Sequence, residues 1–202
     1  MKELKLKHQQ GPWKIYSDTG HILESLGDPR KLFENQVKLE SPPEMIYDKN
    51  YLRISLGCEK YIEFNCIDSL KLVNTTSSDL ALPIAKKWAE ARSDFLGDYL
   101  KARPYDWTYT TPYTGTLVGD WNCQDTTEGI NVDILKVQEK INFYDEIVLF
   151  EDELGDNGTS ELHIKVRAMN SGFFILQRFF LRVDNLLIRY YDTRIQWLSD
   201  KK

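Results

Sequence analysis

The chain has 202 residues, of which 42% are hydrophobic and 12% aromatic, and its formal net charge is -5. The acidic balance argues against a nucleic-acid-binding protein, which usually presents a basic surface. No apolar run is long enough to cross a bilayer and no signal peptide begins the sequence. We therefore expect an intracellular, cytoplasmic protein without membrane or nucleic-acid partners, with the nucleus left open as a second compartment.

The first half of the chain shows short strands and short helices. Asp28-Pro29 is a helix-start signal, because proline is favoured at the first helical position. Asp68 is predicted to cap a second short helix. The predicted elements are, in order, a strand at residues 3–8, a hairpin of residues 13–16 and 21–23, a helix at 30–36, a hairpin of 51–56 and 61–65, and a helix at 68–73.

The second half begins with the longest predicted helix, residues 84–100, whose apolar residues recur at helical spacing. A strand at residues 116–121 and a helix at residues 132–139 follow. A length of 202 residues suits one sizeable domain or two small ones, and no convincing linker divides the chain. We therefore expect a single α+β domain over residues 1–202, with a mainly antiparallel sheet meander and flanking helices.

Four consecutive strands form this meander, and they dominate the end of the sequence. They are predicted at residues 143–150, 162–169, 173–183 and 186–191, joined by short turns rich in Asn, Asp and Gly. The second strand alternates apolar and polar residues, which is typical of a strand with one buried face. The third strand is apolar on both faces and interrupted by arginines, which favours a central position in the sheet.

Two-residue turns would fix which side chains share a face of this meander. One face would then be apolar, and it would include Leu186 and Ile188 of the fourth strand together with Phe179 and Leu181 of the third. The opposite face would mix aromatics with cations, because a strand alternates its side chains. These predicted cations are His163, Lys165, Arg167, Arg178, Arg182 and Arg189.

Signals for catalysis are weak in this sequence. It has no phosphate-binding glycine loop, and its three histidines and three cysteines lack the spacing of metal ligands, so we predict no cofactor and no metal. Glu151 and Glu153 could converge as paired carboxylates, with Asp106 as a further acid, in a small-ligand-binding enzyme. A solvated strand end is the simpler interpretation of this acidic run. A scaffold without any cleft is the third alternative.

Arginine is the residue type that most favours a binding function here. Its planar guanidinium binds carboxylates through two parallel hydrogen bonds, so Arg178 and Arg182 could form an anion site. The structural alternative is internal ion pairing with Glu146, Glu151 or Glu153 across the sheet. Asp192, which ends the predicted meander, is predicted to cap a local turn.

Several motifs occur together and in a fixed order. Two runs are individually specific, Pro-Tyr-Asp-Trp-Thr-Tyr-Thr-Thr at residues 104–111 and Leu-Phe-Glu-Asp-Glu-Leu at residues 149–154. The others are Gly-Pro-Trp-Lys at 11–14, Pro-Glu-Met at 43–45, Ile-Glu-Phe-Asn at 62–65, Gly-Thr-Leu at 115–117, Arg-Phe-Phe-Leu-Arg at 178–182, Leu-Ile-Arg at 187–189 and Asp-Thr-Arg at 192–194. Together they resemble the TIPRL family, the TOR signalling pathway regulator-like proteins.

The resemblance implies a non-enzymatic regulator. Such a protein binds the catalytic subunit of type 2A and related protein phosphatases and restrains its activity, and it is linked to TOR signalling through the phosphatase-associated protein Tap-forty-two, or alpha-four. The resemblance also implies a cleft for the carboxy-terminal tail of the phosphatase. The contact candidates that match by position are Asp68, Ile130, Tyr190 and Asp192. The arginine-aromatic face, with Arg178, Arg182 and Arg189, suits an extended peptide that ends in a carboxylate.

Overall fold

The structure, a computed structural model, describes residues 4–39, 42–73, 81–82, 85–91, 93, 103–104, 111–121, 127, 133, 136 and 138–199. Two five-stranded antiparallel sheets and short helices confirm the predicted α+β class. The first sheet has the order β1-β2-β4-β5-β8, with β1 at Leu6–Gln10, β2 at Trp13–Asp18, β4 at Tyr51–Leu56, β5 at Lys60–Asn65 and β8 at Thr116–Val118.

The second sheet contains the meander and has the order β12-β11-β10-β9-β3. Its strands are β3 at Met45–Ile46, β9 at Ile141–Asp152, β10 at Gly158–Met169, β11 at Gly172–Val183 and β12 at Leu187–Leu198. A separate two-stranded ladder pairs β6, Ala81–Leu82, with β7, Arg103–Pro104. The described helices are α1 at Asp28–Val37, α2 at Cys66–Lys71 and α3 at Lys86–Ala91.

The amino-terminal strands differ from the prediction in their pairing. Gly11 and Pro12 form the two-residue turn of a β1–β2 hairpin, in which Gln10 lies opposite Trp13. Residues 21–23 are not a strand, because β2 instead takes β4 as its second neighbour. Leu23 is nevertheless buried, and its backbone N–H donates to the carbonyl of Ile46 at 2.7 Å.

The two helices predicted in the first half of the chain are present, with a correction to one cap. Helix α1 carries Pro29 in its first turn, as predicted. Helix α2 is capped by Asn65 rather than Asp68, because the Asn65 side chain accepts the backbone N–H of Asp68 at 2.9 Å. Asp68 instead lies in the first turn of α2, where a carboxylate is favoured by the helix dipole.

The predicted alternation of β10 and β11 is confirmed. The turn between β10 and β11 has two residues, and it aligns Met169 with Gly172. Every second residue of β11 from Phe173 to Val183 is buried, whereas Arg182 on the opposite side is exposed.

The face assignment of the fourth strand was wrong by one residue. Three residues separate β11 from β12, so that Val183 pairs with Leu187. Asn185 adopts a left-handed conformation, with φ of 60°, in that turn. Because side chains alternate along a strand, the extra residue moves Arg189 to the side of Leu181 and places Ile188 opposite Arg182. Leu186 belongs to the turn and is exposed.

One continuous core joins the two sheets and α1 and α2. Trp13 of β2 packs edge-on against Phe173 of β11, at 5.0 Å between ring centroids, and also contacts Trp197 of β12. The largest fully buried side chains come from both sheets, from α2 and from residue 113, and they include Ile54, Phe64, Tyr113, Phe150 and Phe179. The inner side of the meander is therefore the hydrophobic face that the sequence predicts.

Several predictions concern residues that the structure does not describe. Of the helix predicted at 84–100, the described part is α3, with Ser93 also helical. Of the helix at 132–139, only residues 133 and 136 are described as helical. Most of the 104–111 motif, including Asp106, lies outside the described residues, as does Ile130. Within the described ranges, every helix is too short or too polar to traverse a bilayer.

Candidate functional site

The meander presents a polar and aromatic surface on the side opposite the core. We call this surface the outer face. Its side chains are half-buried or exposed, whereas those of the inner side of β10 and β11 are buried. From β9 to β12 it includes Tyr144, Glu146, Val148, Glu151, Glu161, His163, Lys165, Arg167, Phe174, Leu176, Arg178, Phe180, Arg182, Ile188, Tyr190, Asp192, Arg194 and Gln196.

Three of the predicted contact residues meet on the outer face. Arg178 of β11 lies opposite Asp192 of β12, and its Nε and Nη2 atoms donate to the two carboxylate oxygens at 3.1 and 3.3 Å. The guanidinium also lies over the ring of Tyr190, 4.6 Å from its centroid, and the Tyr190 hydroxyl donates to Asp192 at 3.2 Å. The structure thus joins Arg178, Tyr190 and Asp192 in one network.

This network fixes the charge of its two ionised members. The hydrogen bond to Asp192 raises the pKa of the Arg178 guanidinium further above the neutral range. Partial burial alone would raise the pKa of the Asp192 carboxyl, but the hydrogen bond and positive charge of Arg178, the hydrogen bond from Tyr190 and the charge of Arg194 together lower that pKa. Asp192 lies within β12 rather than in a turn, so its predicted role as a local turn cap was wrong.

The other two arginines have different environments. Arg182 is half exposed and pairs with Asp184 in the turn after β11, at 3.0 Å. Arg189 lies on the inner side of β12 and does not share the outer face with Arg178. Internal ion pairing was one of the two predicted alternatives for the arginines, but the acids differ: Arg178 and Arg182 pair with aspartates, while Glu146 pairs with Lys165.

Asp68, the remaining described contact candidate, lies at the junction of α2 and β8. Its Oδ2 atom accepts hydrogen bonds from Asn65 Nδ2 at 2.9 Å and from Thr116 Oγ1 at 2.6 Å. Among the described contacts, none joins Asp68 directly to Arg178, Tyr190 or Asp192. The partner-binding role of Asp68 stays a prediction.

A buried tyrosine connects this junction to the meander. The Tyr113 hydroxyl accepts the backbone N–H of Asn65 at 3.1 Å and donates to the carbonyl of Glu63 at 3.0 Å. The carbonyl of Tyr113 in turn accepts a hydrogen bond from the side chain of Gln177. Gln177 is the one polar residue on the apolar face of β11, and that interruption was the sequence signal for a contact of this kind.

The predicted carboxylate pair is not supported by the positions of its members. Glu151 lies on the outer face, where its Oε2 accepts from the Tyr47 hydroxyl at 3.3 Å. Glu153 lies beyond the end of β9 and is exposed. The buried acid of this run is Asp152, whose two oxygens accept the backbone N–H groups of Glu44 and Leu154 at 2.7 and 2.6 Å. Asp152 therefore fixes the start of the β9–β10 turn.

The Asp68–Thr116 hydrogen bond gives a first prediction. Replacing Thr116 with valine keeps the shape of the side chain but removes the donor, and we expect the free energy of unfolding to fall by about 1–2 kcal/mol. Urea denaturation followed by circular dichroism measures this change. In a double-mutant cycle with Asp68→Ala, the two effects should be less than additive. Strict additivity would mean that the contact contributes nothing to stability.

Comparisons with known proteins agree with the motifs. Residues 45–202 match the profile of the TIP41-like family. The chain is similar to the human TIP41-like protein, with 44% identity over 196 residues that cover 95% of this chain and 71% of the human one. It is also similar to the proteins named type 2A phosphatase activator from Saccharomyces cerevisiae, 39% identical over 91% of this chain and 56% of the relative, and from Schizosaccharomyces pombe, 34% identical over 91% and 72%.

The stretch aligned with the human protein covers 95% of this chain, so it spans α2 and most of the meander. The family profile likewise spans more than half of the sequence. The resemblance inferred from the motifs is thereby confirmed, and the chain belongs to the TIP41-like family.

Proposed function

We propose that this chain is a regulator that binds the catalytic subunit of type 2A protein phosphatases, or of related phosphatases, and catalyses no reaction of its own. The observation that carries the proposal is its similarity, over 91% of its length, to two fungal relatives that are named type 2A phosphatase activators. The outer face supports a protein-binding role, because it combines exposed aromatic and aliphatic side chains with charged groups.

The proposed ligand of the outer face is the carboxy-terminal tail of the phosphatase. Arg182 is the better candidate for the terminal carboxylate, since its side chain is 50% exposed and its partner Asp184 is itself 48% exposed. Ile188 and Tyr190 supply exposed apolar contact next to it. The Arg178–Asp192 pair orients the Tyr190 ring, so we expect it to act by positioning this surface.

Calorimetry with a synthetic tail peptide tests this surface. We expect Arg182→Ala to weaken binding by roughly 10- to 100-fold, since a charge-assisted hydrogen bond contributes about 1.5–3 kcal/mol. Arg178→Ala should weaken binding as well, because the Tyr190 ring then loses its support. Arg167→Ala is the matched control and should leave affinity unchanged, because this exposed cation lies opposite Tyr144 and Phe174 and not beside Arg178 or Arg182. Unchanged affinity in folded Arg178→Ala and Arg182→Ala variants would exclude the outer face as the tail site.

Whether the chain restrains or stimulates the phosphatase is tested separately. We propose that the chain restrains the isolated catalytic subunit, although the fungal relatives are named activators. Restraint and activation are compatible if the chain activates the phosphatase in cells by competing with a second regulator. For that second regulator we propose Tap-forty-two, or alpha-four. The proposed setting is TOR signalling, in the cytoplasm and nucleus. Phosphatase assays with the chain, with the second regulator and with both separate the effects. Stimulation of the isolated subunit by the chain alone would contradict the proposed restraint.

A further inference from the structure

A second cluster of side chains lies on the outer face, apart from the Arg178–Asp192 network. Glu151 of β9 lies opposite Glu161 of β10, and His163 follows two residues later on the same face. One ligand atom from each of the three lies within 4.8 Å of the others. The three side chains are 28%, 33% and 19% exposed, respectively, so the cluster is sheltered but accessible from solvent.

The tautomer of His163 is set by Glu146. Nδ1 of His163 lies 3.2 Å from Oε1 of Glu146. A carboxylate oxygen accepts from an N–H, so this contact places the proton of His163 on Nδ1. In that tautomer Nε2 carries the lone pair and faces Glu151 and Glu161. A carboxylate on the far nitrogen is the usual second partner of a metal-binding histidine.

The distances around Nε2 do not describe hydrogen bonds. Nε2 lies 3.3 Å from Oε2 of Glu161 and 3.5 Å from Oε1 of Glu151, yet this buried atom has no hydrogen-bond partner among the described residues. Charge-assisted hydrogen bonds would be about 2.7–2.9 Å long. Two ligands of a tetrahedral zinc ion, each bound at about 2.0–2.1 Å, are about 3.3–3.4 Å apart. The two separations that involve Nε2 therefore fit ligands of a common ion, and the third ligand pair lies within 4.8 Å.

The charges around this cluster also favour a bound cation. Glu146, Glu151 and Glu161 contribute three carboxylates to this part of the outer face. Lys165 neutralises Glu146 at 3.0 Å. Arg178, which lies across from His163, is already paired with Asp192. Glu151 and Glu161, the two carboxylates that face Nε2, therefore leave negative charge at this position that a divalent cation would balance.

We propose that Glu151, Glu161 and His163 form a binding site for a divalent transition-metal ion, with Zn²⁺ as the preferred occupant. An imidazole with two carboxylates suits zinc, manganese and ferrous iron better than calcium or magnesium, and zinc binds more tightly than the other two. Three protein ligands leave at least one coordination position open, unlike a structural zinc site. The sequence predicted no metal because its histidines are isolated, but this site needs only one.

Cobalt and zinc titrations of the whole chain, freed of metal with a chelator, test the proposal. We expect one Co²⁺ per chain, with the visible bands of a low-coordinate nitrogen and oxygen site and without a thiolate charge-transfer band. Zn²⁺ should displace the Co²⁺ and shift the ring resonances of His163. His163→Ala and Glu161→Gln should each weaken binding at least tenfold, whereas His21→Ala, which removes an exposed histidine, should leave binding unchanged.

Three results would overturn the site. They are a wild-type chain that binds no Co²⁺, a thiolate band that assigns the metal to cysteine, and equal affinity in the wild type and the two ligand variants. Circular dichroism establishes that the variants are folded. Glu161→Gln keeps the comparison informative if His163→Ala does not fold, because the Glu161 side chain is one-third exposed and its amide replacement has the same shape.

Discussion

Replacing Phe179 with alanine is expected to lower the free energy of unfolding by about 3–5 kcal/mol, the range for a fully buried phenylalanine. Phe179 is 1% exposed on the inner side of β11, and its ring lies 6.2 Å from that of Tyr191 on β12. Removing the ring leaves a cavity between the two sheets, because the neighbouring side chains can only partly collapse into it. Urea denaturation of the purified variant measures the loss.

The adjacent residue provides a matched control. Phe180 is half-buried on the outer face, so Phe180→Ala should cost only about 1 kcal/mol. The pair of variants tests which face of β11 is directed into the core. Equal costs for the two substitutions, or a larger cost for Phe180, would contradict the inner and outer assignment on which the candidate site depends.

Asp152→Asn is expected to remove a large pH dependence of stability. Burial raises the pKa of the Asp152 carboxyl to about 6, even though the backbone N–H groups of Glu44 and Leu154 oppose that effect. In the unfolded chain the pKa is about 3.9. A raised folded-state pKa favours folding when the group is protonated, so this contribution is complete below about pH 3.9 and is lost as pH rises through about 6. The difference corresponds to about 3 kcal/mol.

Urea midpoints measured between pH 4 and 7 test this expectation. The wild type should lose stability across this window, while Asp152→Asn should show little change. Glu153→Gln serves as the control, because the neighbouring acid is exposed and its loss should leave the wild-type profile intact. Glu146 does not affect this comparison. Its pKa is about 2 in the folded chain and about 4.5 when unperturbed, so its contribution to the free energy of unfolding is lost only as pH falls below about 4.5. A wild-type profile that is flat between pH 4 and 7 would contradict the prediction.

The strands of the meander could be predicted because their periodicity is strong. Alternation of period two located β10 and the two faces of β11, and the two-residue turn after Met169 fixed their pairing. The prediction for the fourth strand failed at a single point, the length of the turn that precedes it. The sequence does not distinguish a two-residue turn from a three-residue turn around Asn185, and one residue is enough to exchange the faces of a strand.

Part of the Arg178–Asp192 network could be predicted, but its arrangement could not. The resemblance indicated Tyr190 and Asp192, the strand pattern indicated Arg178, and the structure brings the three into contact, while their role in binding stays a prediction. The choice of ion-pair partners depends on pairing across strands that are distant in sequence. His163 illustrates this limit, since its nearest acids include Glu146 and Glu151 of β9, more than ten positions away.

Neighbouring positions on β11 have different partners. Arg178 reaches across the outer face to Asp192, while Gln177 reaches inward to Tyr113, which in turn bonds to the cap of α2. A sliding movement of β11 would displace both side chains at once, although they point in opposite directions. Gln177 and Tyr113 thus link β11 to the helix that carries Asp68 through side-chain hydrogen bonds, between segments that are distant along the chain.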